Sequence, residues 1–146
     1  MRSVSQILKS KPEQTVHSVA PATSVFDAVR LMAEKNIGAL LVVEDTKIVG
    51  ICTERDYVRK FPVRGMSSNE TPVRDIMATK VMYVRPDQTN EECMALMTNN
   101  RFRHLPVMDN GKLVGLISIG DLVNDIISEQ KFTINQLVHY ITGDMR

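Results

Sequence analysis

Residues 16–58 recur as residues 81–123 at a constant offset of 65 positions, without a gap. Val16, Val19, Pro21, Leu31, Met32, Leu40, Val42, Lys47, Val49, Gly50, Asp56 and Val58 coincide with Val81, Val84, Pro86, Leu96, Met97, Leu105, Val107, Lys112, Val114, Gly115, Asp121 and Val123. Many other pairs are apolar on apolar, such as Ile48 with Leu113 and Ile51 with Leu116. The chain is a tandem repeat, so fold and function are read from the unit. Two similar units usually pack about a pseudo-twofold axis, and the cleft between them then offers two related sites.

The unit alternates strand and helix signals. Thr15–Val19 reads as a short extended piece ended by Pro21. Val25, Ala28, Val29 and Met32 recur at helical spacing after Ser24, which predicts a helix to Lys35, stopped by Asn36–Gly38. Ala39–Val43 is too short for a buried helix and rich in Val and Leu, so it reads as a buried strand. A turn at Glu44–Lys47 leads to a second strand, Ile48–Cys52, and Thr53 opens a helix through Lys60. The second copy predicts strand 81–84, helix 89–100, strand 104–108, a turn at Asp109-Asn110-Gly111, strand 113–117 and helix 118–129. The order is β-α-β-β-α with apolar strands under helices, hence an α/β class.

A leader segment repeats as well. Val4, Ile7 and Leu8 resemble Val73, Ile76 and Met77 at an offset of 69, each an amphipathic turn ahead of a unit. Residues 4–11 therefore belong to the fold. The expected organisation is a first unit at 1–61, a linker at 62–72 containing Pro62, Gly65 and Pro72, a second unit at 73–129, and a helical tail at 130–146. Ile134, Leu137, Val138 and Ile141 share one face of that tail, which needs a partner.

Charge is balanced, with 18 basic against 17 acidic residues, and no basic tract or aromatic-interleaved patch appears, which argues against a nucleic-acid partner. The longest apolar runs are far too short for a membrane span. Arg2, Lys9 and Lys11 lie near the start without the apolar stretch of a secretory signal. Cys52 and Cys93 occupy unmatched positions and make no metal spacing, so they read as buried thiols in a reducing, cytoplasmic setting. His104 has no second ligand near it, and His17 and His139 read as ordinary polar positions. No nucleophile–base pair and no P-loop pattern is present, so no catalytic residue and no metal site is expected.

The chemistry concentrates where the second hairpin strand meets a helix. Gly50-Ile51-Cys52-Thr53-Glu54-Arg55-Asp56 matches Gly115-Leu116-Ile117-Ser118-Ile119-Gly120-Asp121. A hydroxyl at a helix N-terminus, beside free N–H groups and the positive dipole end, suits a phosphate. The aspartate one turn on can accept two hydrogen bonds from a ribose cis-diol. The same spacing is also a capping box, which only stabilises a helix start. Ser24-x-x-Asp27 and Thr89-x-x-Glu92 show that spacing at the other helices, where no ligand is assigned. What singles out the first pair is that the whole strand–hydroxyl–aspartate element recurs.

With Val19-Ala20-Pro21 and Val84-Arg85-Pro86, Arg103-His104-Leu105-Pro106-Val107, and Gly-x-x-Ser/Thr-x-x-Asp present twice, the unit resembles a CBS domain and the pair a Bateman module. The resemblance implies two tandem β-α-β-β-α units packed sheet to sheet, and cleft sites for adenosine compounds: AMP, ADP, ATP, NAD or S-adenosylmethionine. By that resemblance Thr53 and Asp56 hold phosphate and ribose in one site, and Ser118 and Asp121 in the other, with Ile119 and Gly120 between them. Adenine would be flanked by His17, Gly38 and Ala39 in the first, and by Met82, Arg103 and His104 in the second. Leu41 stands where the second unit has Pro106, and Arg55 where it has Gly120. Arg55, Arg101 and Arg103 are the candidates for meeting phosphate charge.

The functional expectation is a regulatory module that binds an adenine nucleotide, works as a homodimer and signals by conformational change. The alternative is a structural dimerisation module with vacant sites.

Overall fold

A computed structural model describes residues 2–12, 14–60 and 67–142. In chain order the elements are α1 (Val4–Ser10), β1 (Ser18–Val19), α2 (Val25–Lys35), β2 (Ala39–Glu44), β3 (Lys47–Thr53), α3 (Glu54–Lys60), a 3-10 turn (Val73–Asp75), α4 (Asn90–Asn100), β4 (His104–Asp109), β5 (Lys112–Ser118) and α5 (Ile119–Thr142). This is the expected α/β class.

The first helix of each repeat is built from its ends inward. Ser24 and Thr89 are extended N-cap residues whose hydroxyls accept the N–H of Asp27 at 3.1 Å and of Glu92 at 3.2 Å. Asn36 and Arg101 end the helices in the left-handed conformation, at φ 54° and 59°. The buried positions correspond across the repeat: Val25, Ala28 and Met32 on α2 and Asn90, Cys93 and Met97 on α4.

Each repeat contributes one hairpin of the same register, β2 with β3 and β4 with β5. Both carry a bulge at one matched place, after Val42 and after Val107. Both turns need two left-handed residues, Asp45 and Thr46 at φ 50° and 66°, Asn110 and Gly111 at φ 51° and 79°. Gly111 accepts that backbone freely, whereas the β-branched Thr46 does not.

The sheets differ. The first repeat has three strands, order β1-β2-β3, and the second only two. Strand 81–84, expected from the sequence, is reduced to a single parallel bridge between Val84 and Val107. The cause is Pro106. Leu41 donates its N–H to His17 O at 3.3 Å, extending the first repeat's ladder, and Pro106 at the matched position has no N–H to give. What remains is Val84 N–H to Pro106 O at 3.0 Å and Met108 N–H to Val84 O at 2.9 Å.

The leaders cross over. The compact units are Met1–Gln14 with Tyr83–Arg146, and Thr15–Met82. Contacts thus divide the chain differently from the boundaries 1–61 and 73–129 read from the repeat. α1 docks on the second repeat, with Val4 N–H on Gln88 O at 2.8 Å and Ser5 N–H on Pro86 O at 2.9 Å. The second leader docks on the first repeat, where Ile51 and Ala78 exchange two N–H···O bonds of 2.9 Å. Two glycines make room for this. A Cβ on Gly115 would lie 2.7 Å from Leu8 Cδ2, and one on Gly50 2.7 Å from Met77 Sδ and 2.8 Å from Ala78 O. Val73 and Ile76 then join Val25, Ala28, Met32, Leu40, Val42 and Cys52 in one core. Val4 and Ile7 are buried with the second repeat's Val84, Leu105, Val107, Ile117 and Leu122.

The tail is not a separate helix. α5 runs unbroken for 24 residues through the expected junction at 129/130, because Glu129, Gln130 and Lys131 are good helix formers with no Gly or Pro among them. Its last stretch is exposed, including Phe132, Ile134, Leu137, Val138, Tyr140 and Ile141. Residue 61 of the expected first unit, 62–66 of the expected linker and 143–146 of the tail lie outside the described residues. No described helix is long and apolar enough to cross a membrane.

Exchanging the turn residues tests the hairpin reading. Thr46→Gly relieves a β-branched residue at φ 66° and is expected to stabilise the fold by roughly 0.5–1 kcal/mol after the entropy of the unfolded glycine. Gly111→Thr is expected to cost about 1–2 kcal/mol. Urea unfolding of both variants against the parent reads the two signs; equal effects of one sign would contradict the turn assignment.

Candidate functional site

Strand register assembles the motif in each repeat. Ala39 pairs with Thr53 across the first hairpin and His104 with Ser118 across the second. The residue after each hydroxyl donates its N–H back to the neighbouring strand start, Glu54 to Gly38 O at 3.0 Å and Ile119 to Arg103 O at 2.9 Å. His17 sits next to the first group through its bond to Leu41. The fold therefore brings His17, Gly38, Ala39, Thr53, Arg55 and Asp56 to one place, and Arg103, His104, Ser118, Ile119, Gly120 and Asp121 to another. Ala39 is only 3% exposed, so its methyl belongs to the core. Met82 is the last residue of the compact unit Thr15–Met82.

At both junctions hydroxyl and carboxylate hold one another. Asp56 N–H donates to Thr53 Oγ1 at 3.1 Å, and Asp56 Oδ2 accepts from Thr53 N at 3.0 Å and from Thr53 Oγ1 at 3.0 Å. Asp121 N–H donates to Ser118 Oγ at 3.1 Å, and Asp121 Oδ2 accepts from Ser118 N at 2.8 Å. These are complete capping boxes. They change the expectation of a helix start with free N–H groups: of the first three on α3, Glu54 and Asp56 are already engaged.

Each aspartate also faces an ammonium, which the motif alone did not reveal. Lys60 Nζ lies 3.3 Å from Asp56 Oδ1 and donates to Ile76 O at 3.1 Å. Lys11 Nζ lies 3.0 Å from Asp121 Oδ2 and donates to Leu116 O at 2.8 Å. Lys60 follows Asp56 by one helical turn, a spacing visible in the sequence. Lys11 comes from the leader, and only the crossover brings it to Asp121.

The two junctions differ in how their polar atoms are used. Thr53 gives its hydroxyl proton to Asp56, whereas Ser118 Oγ only accepts among the described bonds. Both oxygens of Asp56 are engaged, while the contacts on Asp121 both fall on Oδ2. Burial lowers the pKa of His104 below its ordinary value, opposed by Asp121 and reinforced by Lys11 and Arg103, so the imidazole beside Ser118 is neutral near pH 7. Arg55, Arg103 and Gly120 are exposed, and a Cβ on Gly120 would meet nothing closer than Ser118 Oγ at 3.6 Å. Arg101 is used as the left-handed cap of α4.

The thiols carry no comparable chemistry. Burial first, then Asp56, pushes Cys52 up to about 12 against the pull of Lys60. Burial and Glu92 push Cys93 up to about 11. Among the described residues no group of three His, Cys, Asp or Glu side chains is placed to hold a metal.

A family model of the CBS domain matches residues 4–62 and 73–128. The CBS domain-containing protein CBSX3, mitochondrial, of Arabidopsis thaliana is 40% identical over 149 residues, spanning 97% of this chain and 72% of that protein. A solved protein with CBS domains from Burkholderia ambifaria MC40-6 superposes with a TM-score of 0.86 at 56% identity, covering 88% of this chain and 96% of that one. The structure of CBSX2 in complex with AMP superposes with a TM-score of 0.72 at 29% identity, covering 88% and 98%. With one match on each copy of its repeat, the chain belongs to the CBS domain family.

Proposed function

We propose that the chain is a regulatory module that binds an adenosine-containing ligand at the hydroxyl–aspartate element of each repeat. The candidate ligands are AMP, ADP, ATP, NAD and S-adenosylmethionine, which share the adenosine end these residues would read. The observation that carries the proposal is the recurrence of one assembly: hydroxyl, aspartate, ammonium and a neighbouring strand start, twice in one chain. The AMP complex of CBSX2 supports the nucleotide class. Ligand would alter the balance of conformations only through its differential affinity for them.

A specific observation favours the other reading, a structural module with vacant sites. Both aspartates close capping boxes and pair with lysines of the same chain, which is what purely structural elements would do. The second repeat resolves the conflict more easily. The cap bond and the lysine contact of Asp121 both fall on Oδ2, which leaves Oδ1 to accept from a ribose diol while the cap persists. Asp121 is therefore the stronger ribose residue of the two.

Replacement separates the readings. Removing charge-assisted hydrogen bonds of about 1.5–3 kcal/mol is expected to lower AMP affinity at the affected site by roughly 10- to 100-fold in Asp121→Ala, and less in Asp56→Ala. Ser24→Ala removes a cap with no assigned ligand and is expected to cost about 1 kcal/mol of stability with AMP binding intact. Calorimetric titration with AMP, alongside melting curves, reads both. If all three variants melt lower and bind AMP as the parent does, the elements are caps alone.

We further propose a homodimer that covers the exposed apolar side chains of α5. Burying them is worth roughly 25 cal/mol per Å² before the cost of association. Sedimentation at tens of micromolar is expected to show twice the chain mass of 16.4 kDa, with Leu137→Glu shifting it toward monomer. A parent that sediments as monomer contradicts this.

A further inference from the structure

The two lysines that face the motif aspartates do not come from matched positions. Lys60 corresponds to Asp125 across the repeat. Asp125 is buried instead in a polar cluster, where Asn90 Nδ2 donates to it at 2.9 Å and Arg2 Nε lies 3.0 Å away. The second repeat's own helix thus supplies no lysine at this position. Lys11 of the leader provides an ammonium in its place. In both repeats the ammonium touches the aspartate and one backbone carbonyl, with Lys11 on Leu116 O and Lys60 on Ile76 O. An ammonium has three N–H donors, so one remains for a ligand.

The surroundings of Lys11 point the same way. Lys11 and Asp121, with the ion pair of Arg2 and Asp125, line a cavity of about 200 Å³ in the unit formed by residues 1–14 and 83–146. The start of α5 has little backbone left for an anion, since Ile119 N–H goes to Arg103 O and Asp121 N–H to Ser118 Oγ. Of the first three N–H groups this leaves that of Gly120, so the charge of a phosphate there falls mainly to side chains. Lys11 Nζ lies 3.0 Å from Asp121 Oδ2, so a ribose held by that aspartate would have the ammonium beside it. With Lys11 and Arg103 against Asp121, and His104 neutral, the site is positive; without Lys11 cation and anion cancel.

We propose that Lys11 is the residue with which the second site recognises phosphate charge, so that it takes nucleoside phosphates in preference to adenosine or the cationic S-adenosylmethionine. This rests on the nucleotide reading given above. It makes the leader a working part of the second repeat's site.

The test compares AMP with adenosine in titrations that read the second site through the amide NMR shifts of Ser118, Ile119, Gly120 and Asp121. Lys11→Met is expected to weaken AMP about tenfold or more while adenosine changes less than about twofold. Lys11→Arg, which keeps the charge, is expected to retain the preference for AMP. Lys11→Gln, which keeps a donor for Leu116 O, replaces Lys11→Met if that variant does not fold. An AMP-to-adenosine ratio unchanged in Lys11→Met or Lys11→Gln overturns the proposal and leaves Lys11 a tether of the leader. Amides of Ser118, Ile119, Gly120 and Asp121 that shift with neither compound overturn the nucleotide reading of this site itself, and the proposal with it.

Discussion

Two missing Cβ atoms hold this structure together. Leu8 lies in the space that a side chain on Gly115 would fill, and Met77 in the space above Gly50. Each contact seats a leader on the hairpin that bears the motif, and each seats it on the other repeat's hairpin. The motif glycines are therefore packing residues. Alanine at either would force a flexible side chain, and at Gly50 also a backbone carbonyl, to move. Once α1 is seated, Lys11 falls beside Asp121 and Arg2 beside Asp125. The electrostatics of the second site thus depend on a packing contact made by a neutral leucine.

The repeats share a plan and have diverged where polar groups had to be accommodated. Pro106 removes one N–H and with it a strand. Asn90 and Asp125 replace the pair Val25 and Lys60, turning an apolar contact and a surface cation into a buried polar cluster. A buried carboxylate is tolerated only with partners, and Arg2 supplies one. The leader carries both cations that the second repeat needs. The first repeat draws its lysine from its own helix and makes no such demand.

Much of this was legible in the residues. The repeat offset placed every hairpin strand and helix start to within about two residues, because apolar periodicity and capping residues act locally. The hydroxyl–aspartate elements were visible for the same reason, and strand register then brought Gly38 and Arg103 beside them. Three features were not legible. The crossover of the leaders is a choice between two nearly equivalent docking faces, which periodicity cannot make. The loss of strand 81–84 follows from a proline in its neighbour, not from its own sequence. Lys11 lies more than a hundred positions from its partner. The merging of tail and α5 was legible in Glu129-Gln130-Lys131, where nothing breaks a helix.

Occupancy of the hydroxyl–aspartate elements by an adenosine ligand can be read at the elements themselves. Those elements have reporters of their own, since Ser118 and Asp121 each have an N–H bonded within the cap. Amide NMR spectra of nitrogen-15-labelled protein titrated with AMP read them directly. The account predicts saturable shifts at Ser118, Ile119, Gly120 and Asp121, weaker ones at Thr53 to Asp56, and none at the cap amides of Asp27 and Glu92. Saturating AMP that leaves all of these amides in place, or that shifts only residues of the exposed end of α5, would contradict it.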